Sequence, residues 1–217
     1  MLSGYSEPEA WNKLALAPLW LKSKFLELIE REKKHAKKGA PAHIIAKVNS
    51  LCDLDIIEAL YQASMAGVKI DLIVRGICCL KVGIPGISEN ITVRSIVGNF
   101  LEHSRIFYFE NGGNAEFYCG SADWMPRNLE RRVEILYPID DDGLKESLIH
   151  ILDVLLADNM RASIMDKDGT YDKPDRRGKQ SVCAHDVFKE EAAANVTVEK
   201  NYKDERIFIP RERIMVD

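Results

Sequence analysis

Apolar positions recur at helical spacing near the start of the chain, at Leu21, Phe25, Leu28 and Ile29. Residues three and four apart share one helix face, so 18–38 predicts an amphipathic helix, with Pro18 in its first turn and Gly39 as its stop. The period then changes. Residues 42–49, Ala-His-Ile-Ile-Ala-Lys-Val-Asn, form the short apolar run of a buried strand. Asp53 is placed to cap a helix ending near Ala66, and Gly67 closes it. Residues 68–76, Val-Lys-Ile-Asp-Leu-Ile-Val-Arg-Gly, read as a second strand. Strand, helix and strand in so short a span predict a βαβ unit with parallel strands.

Further on, Gly83 to Asn90 is a turn-rich loop and 91–98 another strand. Strands at 105–110 and 115–120 flank Asn111-Gly-Gly-Asn114, a strong turn signal. An apolar strand starts at Val133, and helical periodicity runs from Leu144 to Leu156 behind acidic Asp140 to Asp142. Beyond about residue 165 the chain turns polar, with a short helix at 185–194. Residues 196–217 read as a charged tail with one strand-like piece, Arg206 to Pro210. The fold class is α/β.

Composition narrows the function. The 217 residues suit one domain with a real core, and the net charge of −4 argues against a general nucleic-acid coat. The basic run at 31–38 falls at a helix C-terminus, where cations complement the dipole; a polyanion contact is the other reading. No run of 18 apolar residues is present, and the first residues lack signal-peptide character. Five cysteines, an odd number without zinc spacing, argue against both a disulfide framework and a zinc site. Cys78 and Cys79 read as small core residues.

Candidate chemistry gathers at strand ends. In open α/β sheets ligands collect outside the carboxyl ends of the strands, which here carry Lys47, Asn49 and Arg75. His103 and Arg105 share a face if the strand at 105–109 extends back to His103. An imidazole beside a guanidinium can protonate or bond a phosphate oxygen while the cation neutralises charge. Gly120-Ser121 offers N–H groups and a hydroxyl to an oxyanion, and Asp123, Arg127, Asn128, Arg131 and Arg132 follow closely. Each has a plainer reading: an incidental histidine at a strand mouth, or a solvated arginine face. Glu110 either orients the site or is a surface carboxylate before the turn, and Arg105 either meets phosphate or pairs with Glu110.

Five stretches carry a resemblance. They are Ile45-Ala-Lys47-Val-Asn49-Ser-Leu, Ile70 to Cys79, Val93-Arg94-Ser-Ile-Val-Gly98, Phe100-Leu-Glu-His103-Ser-Arg105-Ile and Ser121 to Leu129. With them the chain resembles the C-terminal part of bacterial-type polyphosphate kinases, of the phospholipase-D-like superfamily, over about residues 1–195. The resemblance implies a phospholipase-D-like mixed sheet flanked by helices. It divides the chain into a helical lead-in at 1–40 from a preceding domain, a catalytic domain at 41–195 and the tail at 196–217. The superfamily's His-x-Lys-x4-Asp motif and later Gly-Ser appear in altered form. Arg105 stands for the lysine, Glu110 for the aspartate, and Asp123 where asparagine is common.

The implied activity is reversible transfer of the ATP γ-phosphate to inorganic polyphosphate, with release of ADP. His103 would be a general acid or phosphate-binding partner, with Arg75 and Arg132 gripping ATP phosphates in one pocket. Lys47, Asn49, Arg105, Glu110, Ser121, Asp123, Arg127 and Asn128 are supporting candidates. Only one such motif is present, and His35, His43, His150 and His185 lack its neighbours, so they read as structural or solvated. The family's phosphorylated histidine, adenine-stacking residues and Mg2+ ligands are therefore expected outside this chain. It would hold half of an active site, be a fragment inactive in synthesis alone, and have the enzyme's other domains as partners. A homo-oligomer in the cytoplasm, or at the membrane surface for the full enzyme, is also implied. Two other readings stand beside it: a phospholipase-D-like phosphodiesterase or nuclease completing its site as a dimer, and a non-enzymatic polyanion-binding module.

Overall fold

The structure is a computed structural model that describes residues 11–196, so the expected tail beyond Val196 and its strand-like piece lie outside the described residues. Its elements are β1 (Ala15–Ala17), α1 (Leu21–Lys37), β2 (His43–Val48), α2 (Leu54–Met65), β3 (Lys69–Val74) and β4 (Ile91–Ile96). Then come β5 (Arg105–Phe109), β6 (Glu116–Gly120), α3 (Pro126–Glu130), β7 (Glu134–Ile139), α4 (Asp142–Ala157), β8 (Ala162–Met165), β9 (Tyr171–Asp172) and α5 (Ala184–Val196). All strands join one mixed sheet in the order β1-β7-β6-β5-β2-β3-β4-β8-β9. The central β2, β3 and β4 run parallel, as the βαβ pattern requires, and the flanking pairs are antiparallel.

Strand alternation divides the core into two layers. Ile44, Ala46 and Val48 of β2 meet Phe25, Leu28 and Ile29 of α1 and Ile56 and Leu60 of α2. Ile45 and Ile73 lie on the other face, with Leu152 and Leu155 of α4 and Ala184 of α5. Helices therefore flank the sheet on both sides. Phe25, Phe107 and Trp124 pack as an aromatic cluster in the first layer, with centroids 4.7 to 5.5 Å apart.

Local chemistry explains most boundaries. Asp53 caps α2 by accepting from the Ile56 amide at 3.1 Å, and Asp141 caps α4 through the Leu144 amide at 2.9 Å. Lys34, His35 and Lys37 occupy the last turn of α1, where their charge complements the dipole. That basic end lies at the amino edge of β2, away from the strand ends singled out above. α1 begins at Leu21, after Pro18, because Ala15 to Ala17 pair with Glu134 to Leu136 as an edge strand. The segment set apart as a lead-in thus supplies a strand to the sheet and a helix to the core. β1, α3, β8 and β9 are too short to show a period in the sequence.

A polar cross-link ties the amino ends of the parallel strands together. Asp71 on β3 bonds the His43 ring at 2.8 Å, accepts from the Thr92 hydroxyl at 2.6 Å and pairs with Lys69 at 3.1 Å. Burial by itself would raise the Asp71 carboxyl, but these three partners outweigh it and hold it well below the usual range. A depressed folded-state pKa stabilises the fold above the unfolded value, and that contribution is lost as pH falls. Asp71→Asn is expected to cost about 2 kcal/mol at pH 7. In urea unfolding the gap between variant and wild type should hold from about pH 7 to about pH 5 and narrow below about pH 4, where the unfolded chain's carboxyl takes up its proton.

Candidate active site

On one edge of the sheet the carboxyl ends of β2, β3, β4 and β6 lie with the amino ends of β5 and β7. The chain leaving β2 is stitched between two neighbours. On one side Gly76 donates to the Asn49 carbonyl (2.8 Å), Leu51 to Ile77 (2.8 Å) and Cys79 to Leu51 (2.9 Å). On the other, Cys52 and Asp53 donate to the Trp124 carbonyl at 2.9 and 3.0 Å, and Trp124 to Ser50 at 3.1 Å. A Cβ at position 76 would fall 2.9 Å from the Asn49 carbonyl oxygen, so the approach of β3's end to β2's requires glycine. Lys47, Asn49, Arg75 and Asp123 are thereby set side by side.

Asp123 is the hub of this edge. Its carboxylate accepts the Asn49 amide at 2.7 Å and the Arg105 fork through Nε at 3.2 Å and Nη2 at 3.0 Å. The remaining arm of Arg105, Nη1, donates to the His103 carbonyl at 2.8 Å. Arg105 therefore secures the backbone of the His103 loop and pairs with Asp123, not Glu110. His103 itself is exposed and precedes β5, and Asn49 Nδ2 makes a long contact of 3.5 Å with its Nδ1. Asn49 is buried, and its Oδ1 has no hydrogen-bond partner among the described residues.

A second network lies beneath the first. Lys47, only 2% exposed, donates to the Ser104 carbonyl (3.1 Å) and hydroxyl (2.9 Å) and pairs with Glu102 Oε2 at 3.0 Å. Burial pushes the Lys47 ammonium below its usual range, and the Arg105 and Arg75 charges push the same way against Glu102. Burial would raise Glu102, but Lys47 and a bond from His185 prevail and hold its carboxyl below the usual range. His185 Nε2 is 2.7 Å from Glu102 Oε1. His185, expected to be structural or solvated, is buried and bonded to the residue before His103, a contact that local spacing could not supply, since the two lie 83 positions apart.

The other candidates divide. Arg75 is half-buried, and among the described residues no carboxylate lies within ion-pair distance of it. Ser121 directs its hydroxyl to Glu134 and its amide to the Ile135 carbonyl at 3.0 Å. Both donors expected for an oxyanion are therefore used inside the fold. Asn128 is buried and donates to Glu134 Oε1 at 2.6 Å. Glu134, absent from the candidates, organises this second group because its strand start is buried; no local motif marks it. Arg132 is half-exposed with Glu134 at 4.0 Å, and Arg127 is exposed. Arg75 and Arg132 follow and precede strands four positions apart in the sheet, roughly 19 Å at the usual inter-strand spacing. Glu110 lies at the other end of β5, bonded to Tyr108 and about 17 Å along the strand from Arg105. It cannot orient His103 from there.

The residues at this edge do not fit a divalent-metal centre. Glu102 is committed to Lys47 and His185, Asp123 to Arg105, and Glu134 to Ser121 and Asn128. Among the described residues no three His, Cys, Asp or Glu side chains form a group that could hold a metal ion.

The structure is thus an α/β domain with an exposed histidine and two arginines at one edge of a mixed sheet. The family described as polyphosphate kinase C-terminal domain 2 matches residues 14–185. The chain is 50% identical to a polyphosphate kinase of Synechocystis over 197 residues, which are 90% of this chain and 27% of that protein. It is 51% identical to one of Pseudomonas aeruginosa over 180 residues, 83% of this chain and 26% of that protein. The crystal structure of polyphosphate kinase from Porphyromonas gingivalis superposes with a TM-score of 0.86 at 38% identity, over 91% of this chain and 30% of that one. The chain belongs to the polyphosphate kinase C-terminal domain 2 family. It spans about a quarter of the length of the curated relatives it matches.

The hub makes a stability prediction. Asp123→Ala leaves the Arg105 guanidinium and the Asn49 amide without their acceptor, and should cost about 3 kcal/mol in urea unfolding. Glu110→Ala, at the far end of the strand, should leave any phosphate binding at this edge unchanged.

Proposed function

We propose that this chain forms one wall of an ATP:polyphosphate phosphotransfer site, with His103, Arg75 and Arg132 as the groups that meet phosphate. The observation that carries the reading is the contrast between Arg105, whose fork is fully engaged by Asp123, and Arg75, which has no carboxylate partner among the described residues. A half-buried guanidinium with no carboxylate partner among the described residues, at the same edge of the sheet as a loop-borne histidine, suits an anionic ligand, and its planar fork matches phosphate oxygens. The wide separation of Arg75 from Arg132 suits ligands that carry several phosphates along their length, as ATP and polyphosphate do.

In the reaction the γ-phosphoryl group passes from ATP to a terminal oxygen of polyphosphate, and ADP leaves. Such transfer gains chiefly from positioning and from neutralising charge on the phosphoryl oxygens. Arg75 and Arg132 supply that charge. Asn49 Nδ2–H, aimed at Nδ1 of His103, favours the tautomer with its proton on Nε2, where it can be given to a phosphate oxygen. Lys47 acts from behind, balancing Glu102 beneath the loop. Mg2+, implied by the family, would be held by groups other than the carboxylates of this edge, and the partners in turnover are the enzyme's other domains. Cytoplasmic ATP sets the proposed location. No helix among the described residues is long and apolar enough to cross a membrane.

Calorimetric titration with long-chain polyphosphate at fixed salt tests the site. Arg75→Ala and His103→Ala are each expected to weaken binding about tenfold, the worth of one charge-assisted hydrogen bond. Equal affinity in both variants, with loss only on changing Lys34 and Lys37, would move the contact to the basic end of α1. Sustained ADP release from ATP and polyphosphate by the chain alone, abolished in His103→Ala, would contradict its holding only half of the site.

A further inference from the structure

The loop from Val97 to Ser104 carries His103, yet its first half has little to hold it. Val97, Phe100 and Leu101 are exposed, at 67%, 58% and 72%. Arg105 and Lys47 grip only the end of the loop, at His103 and Ser104. The remaining anchor comes from the far end of the described chain. His185, in the first turn of α5, is 2% exposed and reaches the loop with both ring nitrogens. Nδ1 accepts the Phe100 amide at 3.3 Å, and Nε2 lies 2.7 Å from Glu102 Oε1. One tautomer, with its proton on Nε2 and a bare Nδ1, satisfies both bonds. The Phe100 ring covers the imidazole at 5.4 Å between centroids. A Cβ at Gly98 would fall 2.5 Å from Nδ1, so the loop closes on the ring only with glycine there.

We propose that His185 is a positioning residue for phosphotransfer: it clamps the His103 loop through Phe100 and Glu102, and so makes the placement of His103 depend on the docking of α5. The inference rests on the phosphotransfer reading above for its functional meaning, and on geometry alone for the clamp. Glu102 immediately precedes His103 and is held on both oxygens, by Lys47 and His185, so it has no freedom to turn while His185 is in place. Releasing His185 frees one oxygen and the Phe100 amide together.

The two nitrogens can be separated by substitution. His185→Gln can keep a donor near the Nε2 position, His185→Asn an acceptor near Nδ1, and His185→Ala keeps neither. Gly98→Ala pushes on the ring without altering either bonding partner. The measurements, on the 217-residue chain, are hydrogen exchange at the Phe100 amide, the His103 ring resonances and polyphosphate affinity by calorimetry. His185→Ala and Gly98→Ala should accelerate Phe100 exchange at least tenfold, shift the His103 resonances and weaken polyphosphate binding about tenfold. His185→Gln should restore part of the affinity, and His185→Asn part of the Phe100 protection. A fall in melting temperature with His103 resonances and affinity at wild-type values would overturn the proposal and leave His185 merely structural. Failure of the wild-type chain to bind polyphosphate would count against the phosphotransfer reading, while the exchange and ring resonances would still decide the clamp.

Discussion

The carboxylate of Asp123 is the constraint on which the functional edge depends. It accepts from the backbone after β2 and from both nitrogens of a fork on β5, and it stands in the segment that follows β6. Three strand ends that would otherwise diverge into loops are thus pinned at one buried point. The guanidinium that meets it carries the constraint one step further, to the His103 carbonyl. An arginine can do both because its donors lie in a rigid plane, two on one side and a third free to reach elsewhere. A lysine also has three donors, but all sit on one nitrogen at the end of a flexible stem, so it lacks the planar fork that grips both carboxylate oxygens side by side. An arginine at position 105 therefore has a physical use here.

The edge separates two kinds of cation. Lys47 and Arg105 are engaged by Glu102 and Asp123, and they shape the backbone around His103. Arg75 has no such partner among the described residues, and Arg132 has one only at 4.0 Å. Burial makes the first pair dependent on their carboxylates, since an unpaired charge in that position would be strongly destabilising. Arg132 is half-exposed and Arg75 half-buried. What separates the two pairs is therefore the carboxylate each cation meets, and not residue type.

Much of the fold was legible along the chain because its central part is locally consistent. The apolar runs of β2 and β3, the Asp53 cap and the Gly67 stop all point to the same βαβ unit, and the structure contains it. The Asn111-Gly-Gly-Asn114 turn likewise joins β5 to β6 as its composition indicates. What escaped was short or non-local. β1 has three residues and β9 two, and each exists because a partner strand completes its hydrogen bonds. Glu110 was read as a possible partner of the site from its count along the motif, but a five-residue strand carries it to the opposite edge.

By itself the sequence determined the α/β class, the parallel core, the family and the residues at the strand ends, because all of these follow from local periodicity or contiguous motifs. Only the tertiary structure decided which of those residues are committed and which are free. Arg105 was turned to Asp123 and not Glu110, Ser121 was drawn inward to Glu134, and His185 was carried across the fold to Glu102. Each of these choices depends on the distance between groups far apart in the chain and on how deeply they are buried. Neither quantity is written in residue spacing.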